Sequence, residues 1–197
     1  MFRKNQNLSL QDATLVSGGT ILCGAPLIVE RNTDEAALEF KSEGSCPWRA
    51  DEYLIIDFKG EADSRIPLFI EFYAGDEMVL MVDRFMIPNR RVKMVVHLEE
   101  LASKRWFLTP IPGSFKGHVM GLPTHIDAID RVRICFRSAR EDTKLTVFGV
   151  ELTDTLPELK VEDGVMIDRF GQRADAEWEG KIHSEAELEK LLSPNAM

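Results

Sequence analysis

The sequence predicts an all-β protein, an antiparallel β-sandwich of the jelly-roll kind. Apolar and polar residues alternate with a period of two through about eight or nine short stretches, which is typical of half-buried strands. Turn-forming residues separate these stretches, and helical periodicity is nearly absent before the C-terminus. An immunoglobulin-like sandwich is the alternative, but the sequence lacks the Cys…Trp…Cys spacing of that fold.

The N-terminal residues are expected to form an extension outside the sandwich. Residues 1–19 are mostly polar and end in a Gly-Gly turn, so the sandwich is predicted to occupy residues 20–157. The sandwich opens with an apolar stretch at 21–29 that contains Gly24 and Pro26. Both residues weaken a central strand, and we therefore expect an edge strand with a bulge here.

The remaining strands follow from the alternation of apolar and polar residues. They are expected at 36–41, 54–59, 68–73, 78–86, 92–98, 131–137 and 145–152. Trp48 follows a loop rich in glycine, serine and proline and is expected at the edge of the sandwich. Residues 103–128 contain many glycines and prolines and are predicted to be one long loop, and loops of that length are usually functional.

The C-terminal residues 158–197 predict an extended strap that ends in a short helix. Ser184 and Glu187 have the spacing of a capping box, and three leucines after them fall on one helix face. The strap also contains several large apolar residues before the cap. We therefore expect the strap to lie against its own sandwich or against a second copy of the chain.

The strap carries a family resemblance. Asp168-Arg-Phe-Gly-Gln172, followed by Trp178-Glu-Gly-Lys181 and the helix at Ser184, resembles the junction of agarase-type glycoside hydrolases. In that family a sandwich similar to a carbohydrate-binding module precedes the catalytic barrel. Gly24-Ala-Pro-Leu27 and Trp48 extend the resemblance weakly upstream. Glu179 replaces the proline that is usual in the junction, and no barrel sequence follows it.

This resemblance implies a galactose-binding-like jelly roll that takes part in polysaccharide binding. The implied ligand is a polysaccharide or oligosaccharide, with agar-type galactan as the first candidate. The implied protein partner is a glycoside hydrolase domain, and self-association is a further expectation from the apolar strap. The alternative is a structural or protein-interaction module without a sugar site.

Composition and motifs exclude several other functions. A net charge of −9 and a pI near 5.0 argue against nucleic acid as a partner. The N-terminus lacks the apolar region of a signal peptide and no apolar run is long enough for a bilayer, so we expect no membrane and either a cytoplasmic or a secreted, processed protein. Cys23, Cys46 and Cys135 form no C-x-x-C motif, which disfavours a zinc site or a redox pair.

No enzymatic motif is evident, and no catalytic residue is assigned. The histidines never fall at metal-ligand spacing, and no metal site or cofactor is predicted, although Glu151 and Asp154 are candidates for a structural calcium. A small glycoside hydrolase or lyase is a second alternative, because the 33 acidic residues always allow a carboxylate pair.

Two groups of residues are candidates for sugar binding, which needs a flat apolar face and fixed polar groups. The first is Trp106, Phe115 and His118 on the predicted loop; the alternative is that these rings cap the open end of the sandwich. The second group shares the outer faces of two strands. It consists of Phe69, Glu71, Tyr73 and Arg133. The alternatives for that face are ordinary ion pairs or cover by the strap.

Overall fold

The structure is a computed structural model, and it is all-β, as predicted. It describes residues 6–8, 10, 12–24, 26–31, 34–41, 48–102, 104–108, 115–117, 119–121, 126–137, 143–156, 165–169 and 179–182. The strands are β1 (Gln6–Leu8), β2 (Thr14–Ser17), β3 (Gly19–Gly24), β4 (Leu27–Arg31), β5 (Glu35–Lys41), β6 (Tyr53–Glu61), β7 (Ile66–Ala74), β8 (Glu77–Met86), β9 (Arg91–His97), β10 (Lys104–Leu108), β11 (Phe115–Gly117), β12 (Val119–Gly121), β13 (Arg131–Arg137), β14 (Lys144–Thr153), β15 (Val165–Arg169) and β16 (Glu179–Ile182).

These strands form two large sheets and one small sheet. Sheet I has the order β15-β9-β6-β14-β4-β3, with β1 also paired to β14, and sheet II has the order β12-β8-β7-β13-β5-β2. Sheet III is formed by β11-β10-β16. The pairings are antiparallel except for β15, which runs parallel to β9. Among the described residues the helices are two short 3-10 turns, Leu98–Ala102 and Ile126–Ala128, and none of these elements is long and apolar enough to cross a membrane.

The apolar side chains of sheets I and II form one core. In β6 the buried residues Leu54, Ile56 and Phe58 alternate with more exposed ones, as the period of two predicts. Trp48 is fully buried in this core and meets Phe72 edge to face, with 6.1 Å between the ring centroids. The predicted edge position of Trp48 is therefore wrong, because the aromatic contact draws the indole ring inside.

Two other local predictions are corrected. The stretch 21–29 is not one edge strand, because β3 and β4 pair as a hairpin in which only β3 lies at the sheet edge. Its bulge is present as a register shift between Ile21 and Cys23. The stretch 103–128 is not one loop, because β10, β11 and β12 lie within it. These short strands satisfy their backbone groups by pairing with distant elements, which the local pattern does not reveal.

Both termini contribute strands to the sheets. In the predicted extension 1–19, β1 pairs with β14 and β2 pairs with β5. In the predicted strap 158–197, β15 lies beside β9 and β16 lies beside β10. The predicted C-terminal helix lies outside the described residues, and the division of the chain at residues 20–157 stays a prediction.

Gly121 is essential to the pairing of β12 with β8. Its φ of +124° is strained for any residue with a Cβ atom, and an added Cβ would lie 2.2 Å from the backbone oxygen of Val79. Backbone cannot move aside as a flexible side chain can. Glycine is therefore required at position 121, where the edge strand β12 pairs with β8.

We expect Gly121→Ala to lower the free energy of unfolding by about 2 kcal/mol or more, because the new methyl group collides with the backbone of β8. Urea denaturation measures this change. The matched control is Gly149→Ala, since a Cβ at Gly149 meets nothing within 4 Å. Equal stability of the two variants would contradict the assigned role of Gly121.

Candidate functional site

The outer face of sheet II brings charged and aromatic side chains together. Antiparallel pairing sets Arg133 of β13 opposite Glu39 of β5 on one side and opposite Glu71 of β7 on the other. In the next row Arg131 lies between Tyr73 and Lys41. Because side chains on a strand alternate between faces, these residues point away from the core that Val132 and its alternate neighbours help to build.

Arg133 is the centre of this arrangement. Its Nη2 donates to Oε2 of Glu39 at 2.9 Å, and its Nη1 donates to the hydroxyl of Tyr73 at 2.8 Å. Nη1 also lies 4.0 Å from Oε2 of Glu71. The guanidinium carbon is 4.4 Å from the centroid of the Tyr73 ring, so the cation also rests over the aromatic face. One side chain thereby orients two carboxylates and a phenol.

This network shifts the pKa values of Tyr73 and Glu39 in opposite directions. The Tyr73 hydroxyl donates to Oε2 of Glu71 at 2.9 Å, and burial together with that carboxylate raises the pKa of Tyr73 to about 12. Burial opposes ionisation of Glu39, but the hydrogen bond from Arg133 and the charge of Arg131 outweigh it, so the pKa of Glu39 lies below its ordinary value. Glu39 is therefore a firmly ionised acceptor.

Arg131 and Arg137 extend the network along β13. Arg131 lies 3.1 Å from Asp76, 3.5 Å from Asp130 and 3.6 Å from Glu39 in its closest atom pairs. Arg137 donates to Glu35 and lies over the Phe69 ring, with 4.7 Å from the guanidinium carbon to the ring centroid. We call the set of outward residues the arginine platform. It consists of Glu39, Phe69, Glu71, Tyr73, Arg131, Arg133 and Arg137.

Cys135 lies on the same face of β13, between Arg133 and Arg137, and it is buried. Burial and the neighbouring charge of Glu71 raise the pKa of its thiol well above the ordinary value. A thiol that stays protonated is a poor nucleophile. Cys135 is therefore a packing residue beneath the platform.

The structure places all four residues of the second predicted group on one face of sheet II and describes only part of the first group. Phe69, Glu71, Tyr73 and Arg133 all belong to the arginine platform. Of the other group, Trp106 and Phe115 lie on strands β10 and β11 of sheet III, and His118 lies outside the described residues.

Backbone register gives Trp106 an unusual position. It pairs with Gly117 on one side and with Gly180 on the other, so the directly opposite positions carry no side chain. Strand β10 also approaches β12, which lies at the edge of sheet II. The grouping of Trp106 with Phe115 and His118 as a binding site stays a prediction.

The sequence reasoning missed Glu39. Its alternation with Leu38 and Phe40 already indicated an outward position on β5. The missing information was the partner, because Glu39 and Arg133 are 94 residues apart in the chain. Within the described ranges, no group of three or more His, Cys, Asp or Glu side chains is arranged to hold a metal ion. Glu151 and Asp154 are described and belong to no such group.

Comparison with known proteins shows that the fold is similar to part of some solved structures. No protein-family model and no curated protein sequence matches the chain. The chain is similar to the solved structure of PfGH50B, with a TM-score of 0.56 and 12% identity over 80% of this chain and 24% of that chain. It is similar to the agarase AgWH50C, with a TM-score of 0.51 and 14% identity over 74% of this chain and 23% of that chain.

A family 11 carbohydrate-binding module from Clostridium thermocellum is a more distant neighbour. The match covers 78% of this chain and 86% of that module, with 14% identity and a TM-score of 0.42, which is too low to support an argument. The chain spans about a quarter of the length of the two more similar structures. The predicted resemblance in fold to one part of agarase-type chains is therefore confirmed.

We expect Glu39→Gln to lower the free energy of unfolding at pH 7 by about 1–3 kcal/mol, because the hydrogen bond from the Arg133 cation then goes to a neutral amide oxygen and the ion pair is lost. The folded pKa of Glu39 lies below its ordinary value of 4.5. Its contribution is therefore complete above that ordinary value and is lost as the pH falls through the folded pKa. Urea denaturation of both proteins at pH 7 and at acid pH should show a difference that shrinks as the pH falls below 4.5.

The control is Glu77→Gln, since Glu77 is exposed at the hairpin between β7 and β8. This substitution should change stability by less than about 0.5 kcal/mol at either pH. A Glu39→Gln effect of the same size at both pH values would show that the ionised carboxylate is not the stabilising group.

Proposed function

We propose that this chain is a noncatalytic carbohydrate-binding domain and that it binds saccharide on the arginine platform. The observation that carries the proposal is the fixed row of Glu39, Arg133 and Glu71 beside the Tyr73 ring. Sugar hydroxyls need donors and acceptors in set positions, together with an apolar surface for the C–H groups of the ring. The row supplies the polar groups, and the parts of the half-buried Tyr73 and Phe69 rings that the guanidinium groups leave uncovered supply the apolar surface.

The platform is organised before any ligand arrives. Arg133, Glu39, Glu71 and Tyr73 are each held by a contact with another member of the platform, so binding needs little ordering of side chains and loses little entropy. The side chain of Arg133 keeps 25% of its exposure and that of Glu71 keeps 11%, so both remain within reach of a hydroxyl from solvent. A carboxylate retains acceptor sites when one of its oxygens is already engaged.

The same contacts argue against catalysis. Glycoside hydrolysis needs a carboxylic acid that holds its proton near neutral pH, which requires a raised pKa. The pKa of Glu39 is lowered instead, and Glu71 accepts a hydrogen bond from Tyr73 beside the Arg133 cation. A lyase would use a phenol such as Tyr73 as a base, and its raised pKa opposes that role. The hydrolase and lyase alternatives therefore lose support.

The likeness of fold to part of an agarase suggests the first ligand and partner to test. We propose an agar-type galactan as ligand and a glycoside hydrolase domain as partner, and we propose that the chain brings polysaccharide to such an enzyme. The junction-like residues of the strap are the sequence feature that suggests such a partner. Trp106, Phe115 and His118 are kept as a second proposed contact for a longer saccharide.

Affinity electrophoresis against agarose, porphyran, carrageenan, xylan and cellulose-type polymers tests the proposal. We expect retardation by at least one polymer. Tyr73→Ala and Arg133→Ala should each weaken the affinity by about tenfold or more, which corresponds to about 1.4 kcal/mol, because the first removes a ring and the second a donor proposed to contact the sugar. Trp106→Ala tests the second proposed contact, because it should weaken the affinity only if that contact takes part in binding.

The matched control is Tyr53→Ala. Tyr53 is also a half-buried tyrosine on the outer face of a sheet, but it belongs to sheet I and stacks on His97 with 4.6 Å between the ring centroids. The Tyr53→Ala variant should bind the polymers as tightly as the native protein does. Unchanged binding by the Tyr73 and Arg133 variants would move the site elsewhere. No retardation by any polymer would refute sugar binding and favour the protein-interaction module.

A further inference from the structure

We infer that the arginine platform selects uncharged saccharides and rejects sulfated or uronate-bearing ones. This inference rests on the proposed function. Three arginines on one strand face would ordinarily suggest an anion site, because guanidinium forks match sulfate and carboxylate. The contacts of this face point to the opposite preference.

The cations of the platform are already neutralised by carboxylates of the protein. Within the described residues, the cations that form ion pairs on this face are Lys41, Arg131, Arg133 and Arg137. Their carboxylate partners are Glu35, Glu39, Glu71, Asp76 and Asp130. Four positive charges thus face five negative charges, so the local formal charge is −1. An anionic group meets no excess of positive charge at this surface.

Burial makes the pairs hard to separate. The side chains of Glu39 and Glu71 are only 5% and 11% exposed. A sulfate that captured the guanidinium of Arg133 would take away the hydrogen bond to Glu39 at 2.9 Å and leave this nearly buried carboxylate with the longer contacts to Arg131 at 3.6 Å and Lys41 at 3.7 Å. Removing one member of a buried pair is strongly unfavourable, so such a ligand would have to overcome that cost before it gained anything.

A hydroxyl group avoids this cost. It donates one hydrogen bond and accepts others, so it can donate to Glu71 while it accepts from Arg133. The ion pair between Arg133 and Glu39 then stays in place, and no net charge enters the site. An acceptor on β7 beside a donor on β13 therefore suits the hydroxyl groups of a polyol.

The test compares matched polymers that share one backbone. Carrageenan is set against its chemically desulfated form, and carboxymethyl cellulose against hydroxyethyl cellulose, with the native full chain in affinity electrophoresis. We expect the neutral member of at least one pair to bind more tightly by about tenfold or more. Its affinity should also stay constant between about 50 mM and about 500 mM NaCl, because no ion pair forms with the ligand.

A charge variant tests the cause of the selectivity. Glu35→Gln removes the partner of Arg137, and both side chains are exposed enough (37% and 54%) that the fold should tolerate the change. We expect this variant to gain affinity for the sulfated polymer by about threefold or more, with an affinity that falls as salt rises. The matched control is Glu30→Gln on sheet I, whose partner Lys144 lies 3.3 Å away with similar exposure. It changes the net charge equally but should leave the selectivity unchanged.

The outcomes separate the inference from the proposed function. Tighter binding of the charged member of a pair by the native protein overturns the inference while sugar binding stands. Equal gains by the Glu35 and Glu30 variants also overturn it, because selectivity would then come from the total charge of the protein. No binding of any polymer, charged or neutral, overturns both proposals.

Discussion

The structure of the platform depends on one interaction, the engagement of Arg133 by carboxylates on both neighbouring strands. β13 is paired on both sides, so its central arginine meets Glu39 of β5 and Glu71 of β7 at once. Without the cation, two nearly buried carboxylates would face each other across β13. Arg131 and Lys41 also lie near Glu39, but Arg133 is the cation placed between the two carboxylates, and its contacts favour the register in which the three strands pair.

The core side of these strands imposes the same register. Val132, Ile134 and Phe136 are fully buried, and they alternate with the outward arginines of β13. A slip of one residue would send the arginines into the core and expose the apolar set. The hydrophobic effect therefore selects the face, and the ion pairs select the partner strands. Neither constraint alone would place Tyr73 within reach of Arg133.

The sequence predicted those features of this arrangement that follow from the alternation of apolar and polar residues. The outward positions of Phe69, Tyr73 and Arg133 follow from a period of two, as does the sandwich class. Pairing between distant strands leaves no local signal, so the role of Glu39 and the strands within 103–128 were not predictable. Trp48 was misplaced for the same reason, because the ring that receives it, Phe72, lies on another strand.

The stacking of guanidinium groups on the rings affects how a ligand would be recognised. Arg133 and Arg131 lie 4.4 Å and 5.4 Å from the centroid of the Tyr73 ring, and Arg137 lies 4.7 Å from that of Phe69, so cations cover part of each ring. Recognition by this surface must then rely more on hydrogen bonds than on broad stacking against bare rings. A site of that kind discriminates by hydroxyl orientation, since a sugar that lacks a matching hydroxyl leaves a desolvated carboxylate unpaired. Under the proposed function, the platform would therefore distinguish epimers better than it would hold any flat sugar ring.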